Sequence, residues 1–421
     1  MKRRDFIAGG AAGTAIACAS ASGQKHVNPS PAPTRFSELQ GFCDGVAAPT
    51  RAEFSERVDR CRAVLKTEGA SALALEAGVD LEYLTGVRWR RSERPLLFVL
   101  PVSGEPFWVG PHFEEGTLRE SRIGTGELRL WQEHESPYER LAEGLVDRGL
   151  AASTLALGPT MRAFVAHGIG TTTSATLAPV SDAVSQCRVQ KSDAELARMR
   201  RANEATKASL AAAAKRTEVG MSEADVEALV REAQSAAGLE QIWALVAFGE
   251  AAAYPHGTRE KHPLRAGELV LVDTGGKLHG YSSDITRTWP TGPVTSKQAK
   301  AWNAVLAAQS AGLEGYRAGA TPSEADQRAR EAVTAAGFGP EYTTFTHRLG
   351  HGIGMEVHEH PYVVRGNTRP FAPGNTMSNE PGIYIPGSLG IRIEDIVAIT
   401  ADGPEVFGPR AASIDDPFGE G

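Results

Sequence analysis

The sequence predicts an α/β domain followed by an α+β domain that is built from two related halves. In residues 50–185, short apolar runs alternate with helical patterns, as expected for a domain of its own. Further along, the tetrapeptide Ser-Glu-Ala-Asp stands at 222–225 and again at 323–326, and each copy begins a predicted helix that ends in Ala-Ala-Gly. Two carboxylates on predicted strands follow each helix at a comparable distance. We therefore expect two halves related by a pseudo-two-fold axis, with a site between them.

The first domain is expected to begin with a helix over residues 51–67. Thr50 and Glu53 match a capping box, and the apolar residues that follow repeat at helical spacing, which places Cys61 on the buried face. Strands are predicted at 72–75, 96–100 and 107–109. Four cysteines in the whole chain, without a CxxC pair, are too few and too widely spaced for a disulfide scaffold.

The second domain is expected to open with a long helix from a capping box at Ser192 and Glu195 to about residue 215. A β-hairpin follows, in which two apolar runs are separated by glycines and each run touches an aspartate, Asp273 or Asp284. The two aspartates can therefore face each other across paired strands.

Two more carboxylates follow on strand-like segments. Glu380 lies in Ser-Asn-Glu-Pro-Gly-Ile-Tyr-Ile, and Glu394 lies in Gly-Ile-Arg-Ile-Glu-Asp-Ile-Val. In the second segment, Arg392 and Glu394 share one face of the strand, opposite two isoleucines. A carboxylate inside an apolar strand is costly unless it is paired, hydrogen-bonded or bound to metal, so these positions indicate a polar site.

Four of the eleven histidines lie within fourteen consecutive positions, at His347, His351, His358 and His360. Imidazole is the commonest metal ligand and proton carrier near neutral pH, and glycines on both sides of His351 permit close approach of backbone and ligand. Four carboxylates with one imidazole suit Mn²⁺, Fe²⁺, Co²⁺ or Zn²⁺ and can bridge two ions about 3.5 Å apart.

Other chemistries lack support in the sequence. The run His358-Glu359-His360 is not HExxH, and the glycines around His351 have neither the spacing nor the context of a nucleotide-binding loop. There is no GxSxG nucleophile elbow. A net charge of −7 does not favour nucleic-acid binding.

Together these motifs resemble the proline-specific peptidases of the M24B family, Xaa-Pro aminopeptidase and Xaa-Pro dipeptidase (prolidase), over about residues 50–410. The most specific matches are Asp-x10-Asp at 273 and 284, His-x3-His-Gly-Ile-Gly-x3-His-Glu at 347–359, Asn-Glu-Pro-Gly-Ile-Tyr at 379–384 and Gly-Ile-Arg-Ile-Glu-Asp at 390–395. The resemblance implies a creatinase-like N-terminal domain at 50–185, which serves oligomerisation and substrate length control. It also implies a pita-bread catalytic domain at 186–412, followed by a tail at 413–421.

The resemblance also implies the metal ligands. Two divalent ions would be held by Asp273, Asp284, His351, Glu380 and Glu394, with Asp284 and Glu394 bridging them. Manganese is the first choice, with cobalt, zinc and iron as alternatives. A water between the metals would become hydroxide at neutral pH, with Glu380 as general base.

Further residues match substrate-binding and catalytic positions of the family. His256, His347 and His358 match histidines that line the substrate, although each could instead be a structural hydrogen-bonding group. Arg392 either contacts substrate or orders the carboxylates, and the second role is favoured. In the first domain, Arg88, Arg90, Arg91 and Arg94 form either a solvated basic loop or a clamp for the carboxylate of a dipeptide.

The implied function is an exopeptidase that hydrolyses Xaa-Pro bonds in small peptides, either as a dipeptidase or as an aminopeptidase. A metal-dependent small-molecule lyase or C–N hydrolase on the same fold and a non-catalytic relative are the alternatives. The intact set of five ligands opposes a creatine-type hydrolase and a non-catalytic relative, whereas the metal-dependent lyase stays open. We expect a homodimer without nucleic-acid binding and without a transmembrane span.

Residues 1–23 have the features of an export signal. A basic start precedes about a dozen apolar residues, fewer than the roughly 20 that a membrane span needs. Arg3-Arg4 followed by Asp5-Phe6-Ile7 resembles a twin-arginine signal, and Ala15-Ile16-Ala17-Cys18 resembles a weak lipoprotein box. We expect export by the twin-arginine route to the periplasm, or anchoring by a lipid at Cys18. Residues 24–49, rich in Pro, Ser, Ala and Gly, are predicted to form a linker.

Overall fold

The computed structural model describes residues 35–121, 126–255, 257–259 and 261–420. From Arg35 onward the chain forms one compact unit. The predicted export signal with Cys18 lies outside the described residues, and so does His256. Within the described part, none of the helices is long and apolar enough to cross a bilayer.

The first part of the chain is an α/β domain with one six-stranded sheet. Its elements are α1 (Arg51–Thr67), β1 (Ala72–Glu76), α2 (Val79–Thr85), β2 (Leu97–Pro101), β3 (Phe107–Pro111), α3 (Glu115–Ser121), β4 (Glu127–Trp131), α4 (Pro137–Val146), β5 (Thr154–Leu157), α5 (Ala163–Thr172), β6 (Thr176–Leu177) and α6 (Ala183–Val189). The sheet order is β4-β3-β2-β1-β5-β6, with β2 antiparallel to both of its neighbours and the other pairs parallel.

Both faces of this sheet are covered, which explains why its central strands are continuously apolar. In β1, Leu73 and Leu75 pack into one hydrophobic core while Ala72 and Ala74 pack into another. Alternating side chains of a strand point to opposite faces, so a strand that is buried on both sides needs no polar positions. Cys61 is buried in the first of these cores, as predicted.

The second part is an α+β domain. Its elements are α7 (Asp193–Ala214), α8 (Glu223–Ala237), β7 (Glu240–Phe248), β8 (Leu269–Leu278), β9 (Tyr281–Ser282), β10 (Ile285–Pro290), α9 (Ser296–Leu313), α10 (Pro322–Ala335), β11 (Gly350–Gly352), β12 (Glu359–Val363), β13 (Thr376–Asn379), β14 (Gly382–Ile385), β15 (Leu389–Arg392), β16 (Asp395–Thr400) and β17 (Gly403–Val406). Short 3-10 turns lie at Ser37–Leu39, His112–Glu114 and Gly249–Ala253. Both predicted capping boxes, at α1 and α7, are confirmed.

The predicted division of this domain into two halves is visible in the order of its elements. Each half has a helix pair, α7 with α8 or α9 with α10, followed by an antiparallel sheet. The first sheet has the order β10-β8-β7 and the second has the order β12-β11-β13-β16-β17, while β14 and β15 form a separate pair.

The repeated tetrapeptide does not mark equivalent positions in the two halves. Ser222 is the N-cap of α8, whereas α10 has Thr321 as its N-cap, so Ser323 already lies inside the helix. As a result Asp225 caps an exposed helix end, while Asp326 is fully buried. The similarity between the halves therefore lies in their helix pairs and sheets.

Residues 35–49 differ from the linker that their composition predicts. Phe36, Leu39 and Cys43 are buried in the hydrophobic core shared with α7 and α8. The Cys43 N–H also donates to the carbonyl of Ala237, at the end of α8. Two phenylalanines and a leucine give this segment enough apolar surface to pack, although it is rich in small residues. The boundaries at 185 and 412 stay predictions.

Candidate active site

The five predicted metal ligands line a single cleft of about 630 Å³, together with His347, His358 and Arg392. Its lining residues are Trp243, Pro255, Asp273, Asp284, Thr346, His347, Arg348, His351, Val357, His358, Glu380, Arg392 and Glu394. The cleft is bordered by β7, β8 and the residue before β10 in the first half, and by segments around β11 and β13 to β16 in the second half. A volume of this size accommodates a small peptide.

Three carboxylates converge from the middle of β8, from the residue before β10 and from the turn between β15 and β16. Asp273, Asp284 and Glu394 each offer an oxygen atom, and these atoms lie within 4.8 Å of one another. In the hairpin, Asp273 is paired with Thr286, which stands two residues after Asp284. The two aspartates are therefore close neighbours on adjacent strands. Thr286 also ties the other half to this sheet, because its carbonyl accepts from the Glu394 N–H at 3.0 Å and its hydroxyl donates to Glu394 Oε2 at 2.6 Å.

These carboxylates need a cation. Asp273 Oδ1, Asp284 Oδ1 and Glu394 Oε1 are buried and find no hydrogen-bond donor among the described residues. Burial, followed by the charge of Glu394, raises the pKa of Asp284 well above its usual value, and burial with the charge of Glu380 does the same to the pKa of Glu394. Bound divalent cations would remove the repulsion and supply partners for the three oxygens, so the donor set fits a metal site.

His351 directs its Nε2 nitrogen towards these carboxylates. Its Nδ1 lies 3.1 Å from the carbonyl oxygen of Gly352, which can only accept, so Nδ1 carries the proton. The other nitrogen, Nε2, faces Glu380 Oε1 at 3.2 Å and Asp284 Oδ2 at 3.7 Å. A backbone partner for one nitrogen and a cleft-facing second nitrogen are typical of a metal-ligating histidine.

Glycines on both sides of His351 are required by close backbone contacts. A Cβ at Gly350 would lie 1.9 Å from the carbonyl oxygen of Ser378, and one at Gly352 would lie 2.2 Å from that of His360. This confirms that the glycines permit close backbone approach at His351.

Glu380 completes the predicted ligand set. It joins His351 and Glu394 in a second group of atoms within 4.8 Å of one another. Burial raises its pKa, but the hydrogen bond and charge of His351 in its protonated form outweigh burial and lower the pKa to about 2. The Ser378 hydroxyl donates to Glu380 Oε1 at 3.1 Å. The structure therefore brings together Asp273, Asp284, His351, Glu380 and Glu394.

Arg392 lies beside Asp273, and all three of its nitrogen atoms donate to protein groups. Its Nη2 donates to Asp273 Oδ2, its Nη1 donates to the Tyr384 hydroxyl at 3.1 Å, and its Nε donates to Thr286 Oγ1 at 3.0 Å. Burial lowers its pKa, but the nearby Tyr384 and Asp273 outweigh burial, so the pKa lies well above its usual value. These contacts support the role in ordering the carboxylates over the role in binding substrate.

His347 lies in the cleft as a neutral imidazole. Its Nδ1 donates to the Arg348 carbonyl at 2.8 Å, so its Nε2 accepts from the Tyr384 hydroxyl, also at 2.8 Å. Burial lowers the pKa of His347, which keeps the ring uncharged near neutral pH. His358 is exposed, with its ring centroid 3.9 Å from that of His351, and it shares a third group of close atoms with His351 and Asp284.

Several residues that fix this geometry were not recognised in the sequence. Thr286 has the clearest signal, since it stands two residues after Asp284 and therefore on the same strand face. Arg330 and Asp326, on α10, give no such signal. Arg330 donates to the carbonyls of Phe345 and His347, at 2.8 and 2.6 Å, and Asp326 accepts from the Leu349 N–H at 2.9 Å. Helix α10 thereby holds the segment that precedes His351.

The arginine-rich loop of the first domain does not line the cleft within the described residues. Arg88 pairs with Glu82, Arg91 donates to Thr160, and Arg94 pairs with Glu133. Within one chain, the solvated-loop interpretation therefore fits the structure better than the carboxylate clamp.

The fold and the site define a two-domain metallopeptidase, and comparison with known proteins agrees. The sequence profile of metallopeptidase family M24 matches residues 197–401, and the creatinase/prolidase N-terminal domain matches residues 57–190. The chain is 36% identical over 356 residues to a probable dipeptidase, PepE, of Mycobacterium tuberculosis, which covers 83% of this chain and 93% of that protein. It is 31% identical over 358 residues to the Xaa-Pro dipeptidase of Lactobacillus delbrueckii subsp. lactis, with 83% and 96% covered.

The crystal structure of dipeptidase PepE from Mycobacterium ulcerans has a TM-score of 0.79 and 34% identity, over 86% of this chain and 98% of that one. The chain belongs to metallopeptidase family M24. It is a peptidase with a creatinase-type N-terminal domain and a pita-bread catalytic domain, so the predicted fold is confirmed.

Proposed function

We propose that this peptidase is a two-metal exopeptidase that hydrolyses the Xaa-Pro bond of small peptides. The observation that carries the proposal is that three carboxylate oxygens, which have no hydrogen-bond donor in the described part of the chain, converge with a histidine nitrogen in one peptide-sized cleft. Preference for proline rests on the likeness to a relative named Xaa-Pro dipeptidase.

Five side chains would hold the metals, namely Asp273, Asp284, His351, Glu380 and Glu394. Asp284 and Glu394 are proposed to bridge two ions, as the resemblance to the family implies. Each belongs to two of the three groups of close donor atoms and, unlike His351, which also belongs to two, has two oxygen atoms to offer. The donor set of carboxylates with one imidazole favours Mn²⁺, with Co²⁺, Zn²⁺ and Fe²⁺ as alternatives. When bound, such ions lower the pKa of a coordinated water and polarise a carbonyl.

The proton chemistry is assigned to side chains of the cleft. Glu380 has a low pKa, so it is ionised at neutral pH and can accept the proton of the attacking water. Neutral His347, whose Nε2 is an acceptor held by the Tyr384 hydroxyl, can accept a hydrogen bond from an N–H of the peptide through small movements of the ring. His358, at the exposed edge of the cleft, is proposed to contact substrate, as is His256, which lies outside the described residues.

Export and assembly are proposed on sequence grounds. The twin-arginine-like start supports export to the periplasm, with a lipid anchor at Cys18 as the alternative. A homodimer is proposed from the resemblance that the first domain shows to creatinase-type domains.

The function is tested by measuring metal content together with a substrate screen. The protein without its predicted signal is loaded with Mn²⁺ and offered Ala-Pro, Gly-Pro, a longer Xaa-Pro peptide and dimethylsulfoniopropionate. We expect about two ions per chain, hydrolysis of the proline peptides alone, and loss of activity on chelation that Mn²⁺ restores. Lysis of dimethylsulfoniopropionate without peptide hydrolysis would support the lyase alternative instead.

Asp284→Ala tests the bridging assignment in the same assay. Because a bridging carboxylate holds both ions, this variant should lose bound metal and all measurable hydrolysis. Asp225→Ala removes an exposed carboxylate of the same domain and should retain both. Normal metal content in Asp284→Ala would show that the bridge is assigned wrongly.

A further inference from the structure

Two of the proposed metal ligands leave the second sheet at the same end. Asn379 is the last residue of β13 and is paired with Asp395, the first residue of β16. Glu380 follows Asn379 in the chain. Glu394 precedes Asp395. The contacts that hold this pair of residues therefore also hold the backbone from which both glutamates extend.

Gln309 of α9 contacts both members of the pair. Its Nε2 donates to Asp395 Oδ2 at 2.9 Å and lies 3.4 Å from the carbonyl oxygens of Asn379 and Ile393. In return, Asn379 Nδ2 donates to the backbone carbonyl of Gln309 at 2.8 Å. One side chain thus connects the segment that carries Glu380 with the segment before Asp395.

The surroundings of the Gln309 amide permit only one orientation. Three acceptors face Nε2, whereas the guanidinium of Arg410 lies 3.4 Å from Oε1. Reversing the amide would place its oxygen against the Asp395 carboxylate and its NH₂ group against the guanidinium. Because Gln309 is almost fully buried, losing these partners would be costly, so the amide specifies a single arrangement of the two segments.

The first half has a corresponding glutamine behind its own two aspartates. Gln234 of α8 donates from Nε2 to Thr274 Oγ1 at 2.7 Å, and Thr274 directly follows one aspartate ligand. The hydroxyl of Thr206 in α7 lies 3.4 Å from Gln234 Oε1 and 2.6 Å from the hydroxyl of Ser283, which directly precedes the other aspartate. All four residues are fully buried.

We propose that Gln309 and Gln234 are positioning residues, each of which fixes the distance between the two carboxylate ligands of its own half. The inference rests on the ligands assigned in the proposed function and goes beyond them, because neither glutamine is among the described residues that line the cleft. Carboxylates held this close repel one another while no cation is bound. Hydrogen bonds next to each ligand keep the site from opening and so hold it ready for metal.

Co²⁺ binding tests the proposal without depending on peptide hydrolysis. The metal-free protein is titrated with Co²⁺, whose visible absorption reports both affinity and ligand geometry. Gln309→Met keeps the length of the side chain and removes the amide. Asp395 keeps Arg287 and Lys207 as partners, at 2.7 and 2.6 Å, so the variant should fold. We expect about 10- to 100-fold weaker Co²⁺ binding and an altered absorption spectrum.

Two further variants separate positioning from general damage. Gln234→Met makes the same change in the first half and should weaken Co²⁺ binding to a similar extent. Val305→Ala creates a cavity beside α9, one helical turn before Gln309. It should lower the melting temperature of the metal-free protein. Its Co²⁺ affinity and spectrum, measured at a temperature at which it is folded, should equal those of the wild type.

The outcomes distinguish this inference from the function on which it rests. Wild-type affinity and spectrum in Gln309→Met or in Gln234→Met would overturn the role of that glutamine, and so would an equal weakening in Val305→Ala. Each of these results leaves the assignment of the metal ligands intact. If the wild-type protein bound no Co²⁺, the proposed metal site itself would be rejected, and the positioning role with it.

Discussion

The hydroxyl of Thr286, in the first half of the catalytic domain, binds two charged groups of the second half. It donates to Glu394 Oε2 and accepts from Arg392 Nε, at 2.6 and 3.0 Å. Thr286→Val keeps the size and branching of the side chain but removes both bonds, so Glu394 should lose its fixed orientation. We expect about 10- to 100-fold weaker metal binding or activity, the usual cost of removing a partner of a metal ligand. Metal affinity and kcat/KM measure the effect.

Thr291→Val is the matched control for this substitution. Thr291 Oγ1 also donates to backbone carbonyls, those of Arg265 and Glu268, but it lies beyond the end of β10 and does not line the cleft. Its metal affinity should equal that of the wild type. If Thr286→Val bound metal as tightly as the control, the orientation of Glu394 would have to come from its backbone alone.

Glu380 is predicted to combine metal ligation with proton transfer. Glu380→Gln retains an oxygen atom that can still face His351 and a metal, but it removes the ionised acceptor for the proton of water. Turnover should fall by about 100- to 10,000-fold, a drop of the size expected when general base catalysis is lost. Metal content measured on the same sample separates the two roles. Undiminished turnover would place the base elsewhere.

Helix α10 positions the histidine segment through a buried ion pair. Arg330 donates two hydrogen bonds to Asp326, at 2.8 and 3.1 Å. Both residues also form hydrogen bonds with the backbone of residues 345–349. Asp326→Asn would leave the Arg330 charge buried without its partner. We expect a loss of about 3 kcal/mol in the free energy of unfolding and a lower kcat. Urea denaturation and steady-state kinetics measure the two effects.

The other half of the domain supplies a control for Asp326→Asn. Asp225 stands at the same place in the repeated tetrapeptide, but it only caps the exposed start of α8. Asp225→Asn should cause a much smaller loss of stability and no loss of activity, because asparagine still accepts a hydrogen bond. Similar effects of the two substitutions would mean that the Arg330 pair does not hold the catalytic segment.

The comparison of these two aspartates shows what the sequence could and could not predict. Helical periodicity and capping boxes predicted α1 and α7, and two apolar runs separated by glycines predicted the hairpin of β8 and β10. These features could be predicted because they depend on residues that are close in the chain. The five proposed metal ligands could be found because carboxylates and a glycine-flanked histidine are unusual in buried strands. The role of Asp326 could not be found, since it depends on a backbone segment about twenty residues away that only the fold brings near.

The two domains are joined through polar groups that are buried between them. Arg57 of α1 donates to the Tyr281 hydroxyl, and Tyr281 donates to Glu195 of α7. Arg188 of α6 pairs with Asp80 at 2.8 Å and also contacts Glu359, one residue after His358. Buried pairs of this kind contribute little net stability when intact, but removing one partner is costly. The junction therefore sets the position of the first domain relative to the cleft.

The pair of Glu53 and Arg198 makes this junction sensitive to acid. Arg198 of α7 binds both oxygens of Glu53 in α1, at 2.7 and 3.0 Å. Burial raises the pKa of Glu53, but these bonds and the Thr50 backbone N–H outweigh it and lower the pKa from 4.5 to about 2. A carboxylate whose pKa is lower in the folded state stabilises the protein above pH 4.5, and this contribution is lost as the pH falls from 4.5 to 2.

Glu53→Gln isolates that charge, because glutamine can still form the capping box. At pH 7 the variant should melt roughly 2–4 °C below the wild type. The difference should stay constant down to about pH 4.5 and then shrink towards pH 2, as the wild-type carboxylate takes up its proton. Thermal unfolding followed by circular dichroism at a series of pH values measures it. Glu139→Gln, at the same helix position in α4, should lower the melting temperature at pH 7 by less than Glu53→Gln does. A Glu53→Gln difference that did not change between pH 7 and pH 3 would show that the ionised pair does not stabilise the junction.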